Sequence, residues 1–243
     1  MTNLPHFDLG PLETFQKEVF LDTDKQKQEI CNFVLGLACI HSDFKNILWA
    51  HYGLTDAKPE GEFQYTPLWG QYSALRDHLY RALCSVLLEF LKLLEENRPN
   101  LSNDLIERTV QSMTRRTRES WAELLDMALN RRGDSPTLRA INRIRDKVIF
   151  HYDLKELERG YREHFSDPAK ANVDAFISRG KTLENSRFYF ADAAMNGYIR
   201  SRYRDAPDFQ TDVKEISEKA NNVLHEFVER FIQRRGGAFR TYQ

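Results

Sequence analysis

The stretch INRIRDKVIFHYDLKEL, residues 141–157, sets Arg145 among aliphatic residues and His151 six positions later. A histidine exchanges a proton near neutral pH, and an arginine is a planar fork suited to phosphate. The two are either a charged face that happens to contain a histidine or a catalytic pair. On a helical wheel of about 100° per residue, Ile141, Ile144, Val148 and Ile149 form an apolar arc. Arg145 and Tyr152 fall inside that arc, His151 lies at its edge, and Asp146 and Phe150 lie opposite. An arginine within an apolar arc needs a partner, because an unpaired buried charge is expensive. That partner is an acid on another helix, a solvent groove or a subunit interface. Phe150 opposite the arc implies a helix covered on more than one side, as at a bundle centre or a dimer interface. On periodicity alone, a snorkelling arginine and a hydrogen-bonded interior histidine hold the larger share.

Other chemistries find less support. None of the seven histidines falls in a His-x-x-x-His pair, and no two cysteines stand two to four residues apart. No metal site of zinc type is therefore expected, and no cofactor. His41 and His51, on one helix, read as a structural or partly exposed pair. A Gly-x-Ser-x-Gly elbow, a phosphate-cradling glycine loop and a dinucleotide fingerprint are all missing. Cys84 sits in a leucine-rich stripe and reads as core rather than nucleophile. The arginines of TRRTRES (Arg115, Arg116, Arg118), the pair Arg131 and Arg132, and the run Arg200, Arg202, Arg204 each read alone as a solvated face. Together they suit an anionic partner. The balance over residues 1–75 is −5 and over residues 76–243 is +4, with 23 arginines against 12 lysines. This asymmetry permits an anionic ligand on the later part of the chain without requiring one.

The elements that must position these residues are helical. Gly and Pro number 11 and 8 in 243 residues, which suits long helices, and 41% hydrophobic content supplies a core. Helices are expected over 11–20, from Asp22–Asp24 to Tyr52 with Gly53 as its close, and from Pro67 to Asn97 with Pro99 ending it. Between them, 54–66 reads as a loop. Ser102 with Asp104 should cap a segment running to Asn130, broken near Thr114. Ser135 and Pro136 should open the helix that carries the motif and runs to Phe165, with a break near Asp153. A small β-hairpin is allowed over 176–190, a short helix over 193–204, and a final helix over 211–235 stopped by Gly236-Gly237. The expected architecture is an all-α bundle of long antiparallel helices in a single domain, 1–243, with an insertion over 166–206. The three cysteines, an odd number in apolar helical patterns, read as buried reduced thiols. MTNLPHFDLG has no signal-peptide pattern and no run is apolar enough to span a bilayer, so a soluble cytoplasmic protein is expected.

RDKVIFHYD resembles the signature of the HEPN superfamily (higher eukaryotes and prokaryotes nucleotide-binding): an arginine, a polar residue, a short spacer and a histidine. Arg145, Asp146, Lys147 to Phe150 and His151 fill these places, and Tyr152 and Asp153 extend the likeness. The resemblance covers about Ile141 to Asp153. It implies a metal-independent endoribonuclease, acting as a homodimer that brings two motifs into one cleft, in toxin–antitoxin or anti-phage defence, with an antitoxin or regulatory protein as a further partner. On this reading the RNA 2′-hydroxyl attacks the adjacent phosphorus, His151 moves a proton and Arg145 holds the phosphate and its transition-state charge. Asp146 orients a neighbour or shapes the helix. Arg115, Arg116, Arg118, Arg143, Lys147 and Tyr152 are the accompanying candidates for RNA binding. Two other readings stand beside it: a non-catalytic helical module that binds nucleotide, RNA or a partner protein, and a structural bundle in which a buried acid neutralises Arg145.

Overall fold

The structure is a computed structural model that describes residues 12–61, 66–130, 135–144, 153–166, 174–182, 186–203, 206 and 208–241. It is an all-α helical bundle with a two-stranded antiparallel sheet of two residues per strand. The order is β1 (Glu13–Thr14), a 3₁₀ turn (Lys17–Phe20), α1 (Lys25–Asp56), α2 (Pro67–Glu96), α3 (Arg98–Leu101) and α4 (Asp104–Ser112). There follow α5 (Arg115–Leu129), α6 (Pro136–Ile144), α7 (Leu154–Phe165), α8 (Tyr189–Tyr203), α9 (Phe209–Arg234) and β2 (Arg240–Thr241). Along α2, Cys84, Leu87, Leu91 and Leu94 recur three or four apart, and all are buried, as is Leu88. No described helix is long and apolar enough to cross a membrane.

The chain divides into two units. Unit 1 comprises 1–46, 89–131 and 216–243; unit 2 comprises 47–88 and 132–215. In unit 1, Trp121 of α5 stacks on Phe227 of α9 with centroids 4.9 Å apart, and Phe33, Leu37, Phe90 and Leu124 are also buried. Its two ends of chain are stitched together. β1 pairs with β2, Glu13 opposite Thr241, and Phe20 meets Phe231. Arg235 donates to the carbonyls of Val19 (3.0 Å) and Leu21 (3.2 Å) and to the Asp22 carboxylate (2.9 Å). The Arg235 guanidinium holds the Asp22 carboxyl below its usual range. α9 ends at Gly236, whose φ of +82° is a left-handed turn that glycine adopts without strain.

In unit 2, α7 and α8 cross backbone to backbone. A Cβ on Gly160 would lie 2.6 Å from the Tyr198 nitrogen and collide with the Ala194 carbonyl; one on Gly197 would collide with the Gly160 carbonyl. Beside this crossing, Arg187 grips Asp192 with two bonds (2.8 and 3.1 Å) and Gln71 with a third (3.1 Å). Thr137 of α6 donates to Asp212.

Several expectations are met. The break near Thr114 separates α4 from α5, with Thr114 as cap; α2 opens at Pro67; Gly236 stops α9. Others are corrected. Residues 11–20 do not form one α-helix: Glu13 and Thr14 extend to pair with β2, a partner more than 200 residues away that no local pattern reveals. Gly53 does not close α1, which continues to Asp56; its φ is not positive, and Thr55 caps back onto the His51 carbonyl (2.9 Å). The cap of α4 is Asn103, which accepts from the Leu105 N–H. The small hairpin allowed over 176–190 is met: among the described residues Ser178 and Arg187 form an antiparallel bridge, each N–H donating to the other's carbonyl (2.8 and 2.7 Å). Cys31 and Cys84 are buried but Cys39 is exposed. Burial pushes the Cys84 thiol up to about 12, which suits a core residue.

The break expected near Asp153 is present, and α7 begins just after it. Asp153 has extended backbone (φ −70°, ψ 108°), and its carboxylate accepts from Lys155 N (3.1 Å) and Glu156 N (3.3 Å), capping α7. Removing an N-cap acceptor costs about 1 kcal/mol. Asp153→Ala should therefore lower the free energy of unfolding by about that much, read as a lower urea midpoint, and Asp153→Asn or Asp153→Ser should restore most of it. A midpoint equal to the parent's for the alanine variant would dismiss the cap as a stabilising element.

Candidate functional site

The sequence places chemistry at Arg145, Asp146, Lys147, His151 and Tyr152, and all five lie outside the described residues. Their flanks are described. Upstream, α6 buries Leu138, Ala140, Ile141 and Ile144, the leading half of the predicted apolar arc, and leaves Arg143 exposed. The Arg143 carbonyl accepts from the Tyr198 hydroxyl at 3.4 Å. Downstream, Gly160 of α7 packs against the backbone and Cβ of that same Tyr198. Tyr198 is 1% exposed, so one fixed residue of α8 touches the elements on both sides of residues 145–152.

Arg115, Arg116 and Arg118 lie in unit 1, whereas Arg143 belongs to unit 2. Arg115 pairs with Glu119 (2.8 Å) on the exposed face of α5. Arg118 donates to the Gln111 carbonyl (2.8 Å). Arg116 turns elsewhere and lines a cavity of about 660 Å³ between α1, α5 and α9. Here the structure assembles residues that sequence reasoning missed. His41 of α1 faces His225 of α9, ring centroids 5.7 Å apart at 61°. Lys45 and Arg230 add two cations, Asn221 an amide, and Glu226 and Glu229 two carboxylates. As expected of structural or partly exposed histidines, His41 is half-buried, and His51 is exposed and lies near Tyr52.

Glu226 is already committed. It accepts from the Thr114 N–H (2.7 Å) and hydroxyl (3.1 Å) at the start of α5 and meets Arg230 at 3.6 Å. Burial pushes its carboxyl up, but the hydroxyl and amide donors of Thr117 and Thr114, together with Arg230, hold it below its usual range.

Burial lowers His41 from 6.5 to about 4, and the neighbouring His225 and Lys45 push in the same direction. The folded chain thus binds fewer protons at this imidazole than the unfolded chain does between those two values. His41 costs no stability above 6.5 and progressively more as pH falls toward 4. Urea midpoints should therefore drop more steeply from pH 7 to pH 4.5 in the parent than in His41→Leu, both sharing all other acid-sensitive groups. Parallel slopes would show that His41 is not the group responsible.

Among the described residues, no group of three or more His, Cys, Asp or Glu is placed to hold a metal ion. No protein family, no curated protein and no solved structure matches the chain.

Proposed function

We propose that the protein is a metal-independent endoribonuclease of HEPN type, acting as a homodimer in toxin–antitoxin or anti-phage defence. The observation that carries this reading is the Arg145-Asp146-x₄-His151 motif, set directly after the buried face of α6 and before the Asp153 cap of α7. The all-α fold agrees with it. In the proposed reaction the 2′-oxygen of a ribose attacks the adjacent phosphorus and the 5′-oxygen leaves. His151 takes the 2′ proton or returns one to the leaving oxygen, and Arg145 neutralises the phosphoryl oxygens. Products are a 2′,3′-cyclic phosphate and a 5′-hydroxyl, so no metal-bound water is required. An antitoxin or regulatory protein would be the further partner.

Cleavage of RNA in excess chelator, mapped by its end groups, tests the reaction. Sedimentation of the active species tests the dimer: a monomer with full activity would refute a shared cleft. A second reading, a non-catalytic module for nucleotide or RNA, is favoured by the cation-lined cavity of unit 1, which uses none of the motif residues. It predicts binding with no change in RNA length.

A further inference from the structure

We infer that the cavity between α1, α5 and α9 of unit 1 binds the phosphate group of a ligand of nucleotide size. The inference rests on the cavity alone and holds whether or not residues 145–152 cut RNA.

Three observations converge on it. The first is unfilled hydrogen-bonding capacity. His41 Nδ1, Asn221 Oδ1 and Arg230 Nε are buried atoms without a hydrogen-bond partner among the described residues, and all three belong to residues lining this one cavity. Buried polar atoms are nearly always paired, so three orphans at one place point to a missing polar ligand. The second is charge. Lys45 and Arg116 make no ion pair or hydrogen bond among the described residues. The carboxylates beside them are engaged, Glu226 by Thr114 and Arg230 and Glu229 by Gln233 Nε2 at 3.3 Å. The lining carries three cations, Lys45, Arg116 and Arg230, against two carboxylates, Glu226 and Glu229, so its formal balance is positive. The third is size: about 660 Å³ falls within the range of small-molecule sites, roughly 300–1,000 Å³.

The chemistry of these groups selects the ligand. A carboxylate offers its acceptor sites on two oxygens in one plane and would leave donors outside that plane empty. A tetrahedral phosphate offers several oxygens in different directions, enough for Arg116, Lys45, Arg230 Nε and the His41 imidazole together. Asn221 Oδ1 is an acceptor and needs a donor, which a ribose hydroxyl supplies and a phosphate dianion does not. The start of α5 does not carry the argument, since Thr114 and Glu226 already cap it.

Calorimetric titration of the full chain with adenosine 5′-monophosphate, inorganic phosphate and adenosine tests the proposal. Adenosine monophosphate should bind saturably, inorganic phosphate more weakly at the same place, and adenosine not measurably. The double variant Lys45→Ala, Arg116→Ala changes two exposed side chains and should keep the parent's circular dichroism while binding about tenfold or more weakly, at least 1.4 kcal/mol by the usual conversion. His151→Ala should bind as the parent does. Imidazole NMR signals of His41 and His225 should shift on titration. Inorganic phosphate binding as tightly as the nucleotide would overturn the nucleotide-size assignment and leave a free-phosphate site. No saturable binding by either, undiminished binding in the double variant, or its loss in His151→Ala would overturn the cavity as the site.

Discussion

RNA incubated with the full chain in excess chelator should be cut, and alanine at either Arg145 or His151 should suppress the cut by about 100- to 10,000-fold. That range follows from the usual contribution of a positioned proton-transfer group, and a guanidinium on the developing phosphoryl charge contributes on a similar scale. The two variants should differ in detail. Arg145→Lys keeps the charge but loses the planar fork, so it should recover part of the rate. His151→Asn keeps shape and hydrogen bonding but transfers no proton, so it should recover none. The parent rate should fall at low pH as the base becomes protonated. All four variants must retain the parent's circular dichroism and urea midpoint for the comparison to count. Variants that are fully folded and cut RNA as fast as the parent would remove these residues from the active site. Loss of parental cleavage in chelator would remove the metal-independent mechanism.

Gly197→Ala should be the most destabilising single methyl that can be added to the described residues of unit 2. Overpacking commonly costs about 1–3 kcal/mol when side chains can move aside. Here the new carbon meets the Gly160 carbonyl, and its carbon atom at 2.8 Å, both of them backbone. The two helices must separate, so a loss of about 3 kcal/mol or more is expected, or a fall in melting temperature of roughly 6–12 °C for a chain of this size. Gly160→Ala should behave alike, because its Cβ meets the Ala194 carbonyl and Tyr198. Gly53→Ala is the control: it lies inside α1 with nothing within 4 Å of its Cβ, so it should stabilise by up to about 1 kcal/mol. If Gly197→Ala and Gly53→Ala melt together, the close crossing of α7 and α8 is not a feature of the protein in solution.

What could be read from the sequence was local. Pro67, Thr114 and Gly236 each announce a helix boundary through their own backbone chemistry, and each boundary is where they place it. The leucines of α2 announce their buried face by spacing alone. The failures have a common origin in distant partners. Leu12 to Phe15 carry a plausible helical pattern, and only their pairing with residues 240–241 makes part of them a strand. Gly53 carries a stop signal that its surroundings do not use. At the candidate sites the same limit applies. Arg116 was singled out for its charge, but nothing in the order of residues links it to Lys45, Asn221 and Arg230, or sets His41 against His225. The dependence of both motif flanks on Tyr198 was equally hidden, since the sequence shows a tyrosine without its neighbours.

The stitching of unit 1 bears on the order in which the protein is made. Synthesis runs from the N-terminal to the C-terminal direction, so Trp121 leaves the ribosome before Phe227 exists to stack on it. Val19, Leu21 and Asp22 likewise wait for Arg235. Unit 2 closes earlier, since its last residue is 215. The nascent chain therefore has every residue of unit 2 in hand while unit 1 still lacks a whole wall of its core. The cavity that takes His225 and Arg230 from that wall is formed last. Premature termination within α9 before Phe227 would leave Trp121 without its stacking partner, exposing apolar surface of the kind that chaperones and proteases recognise.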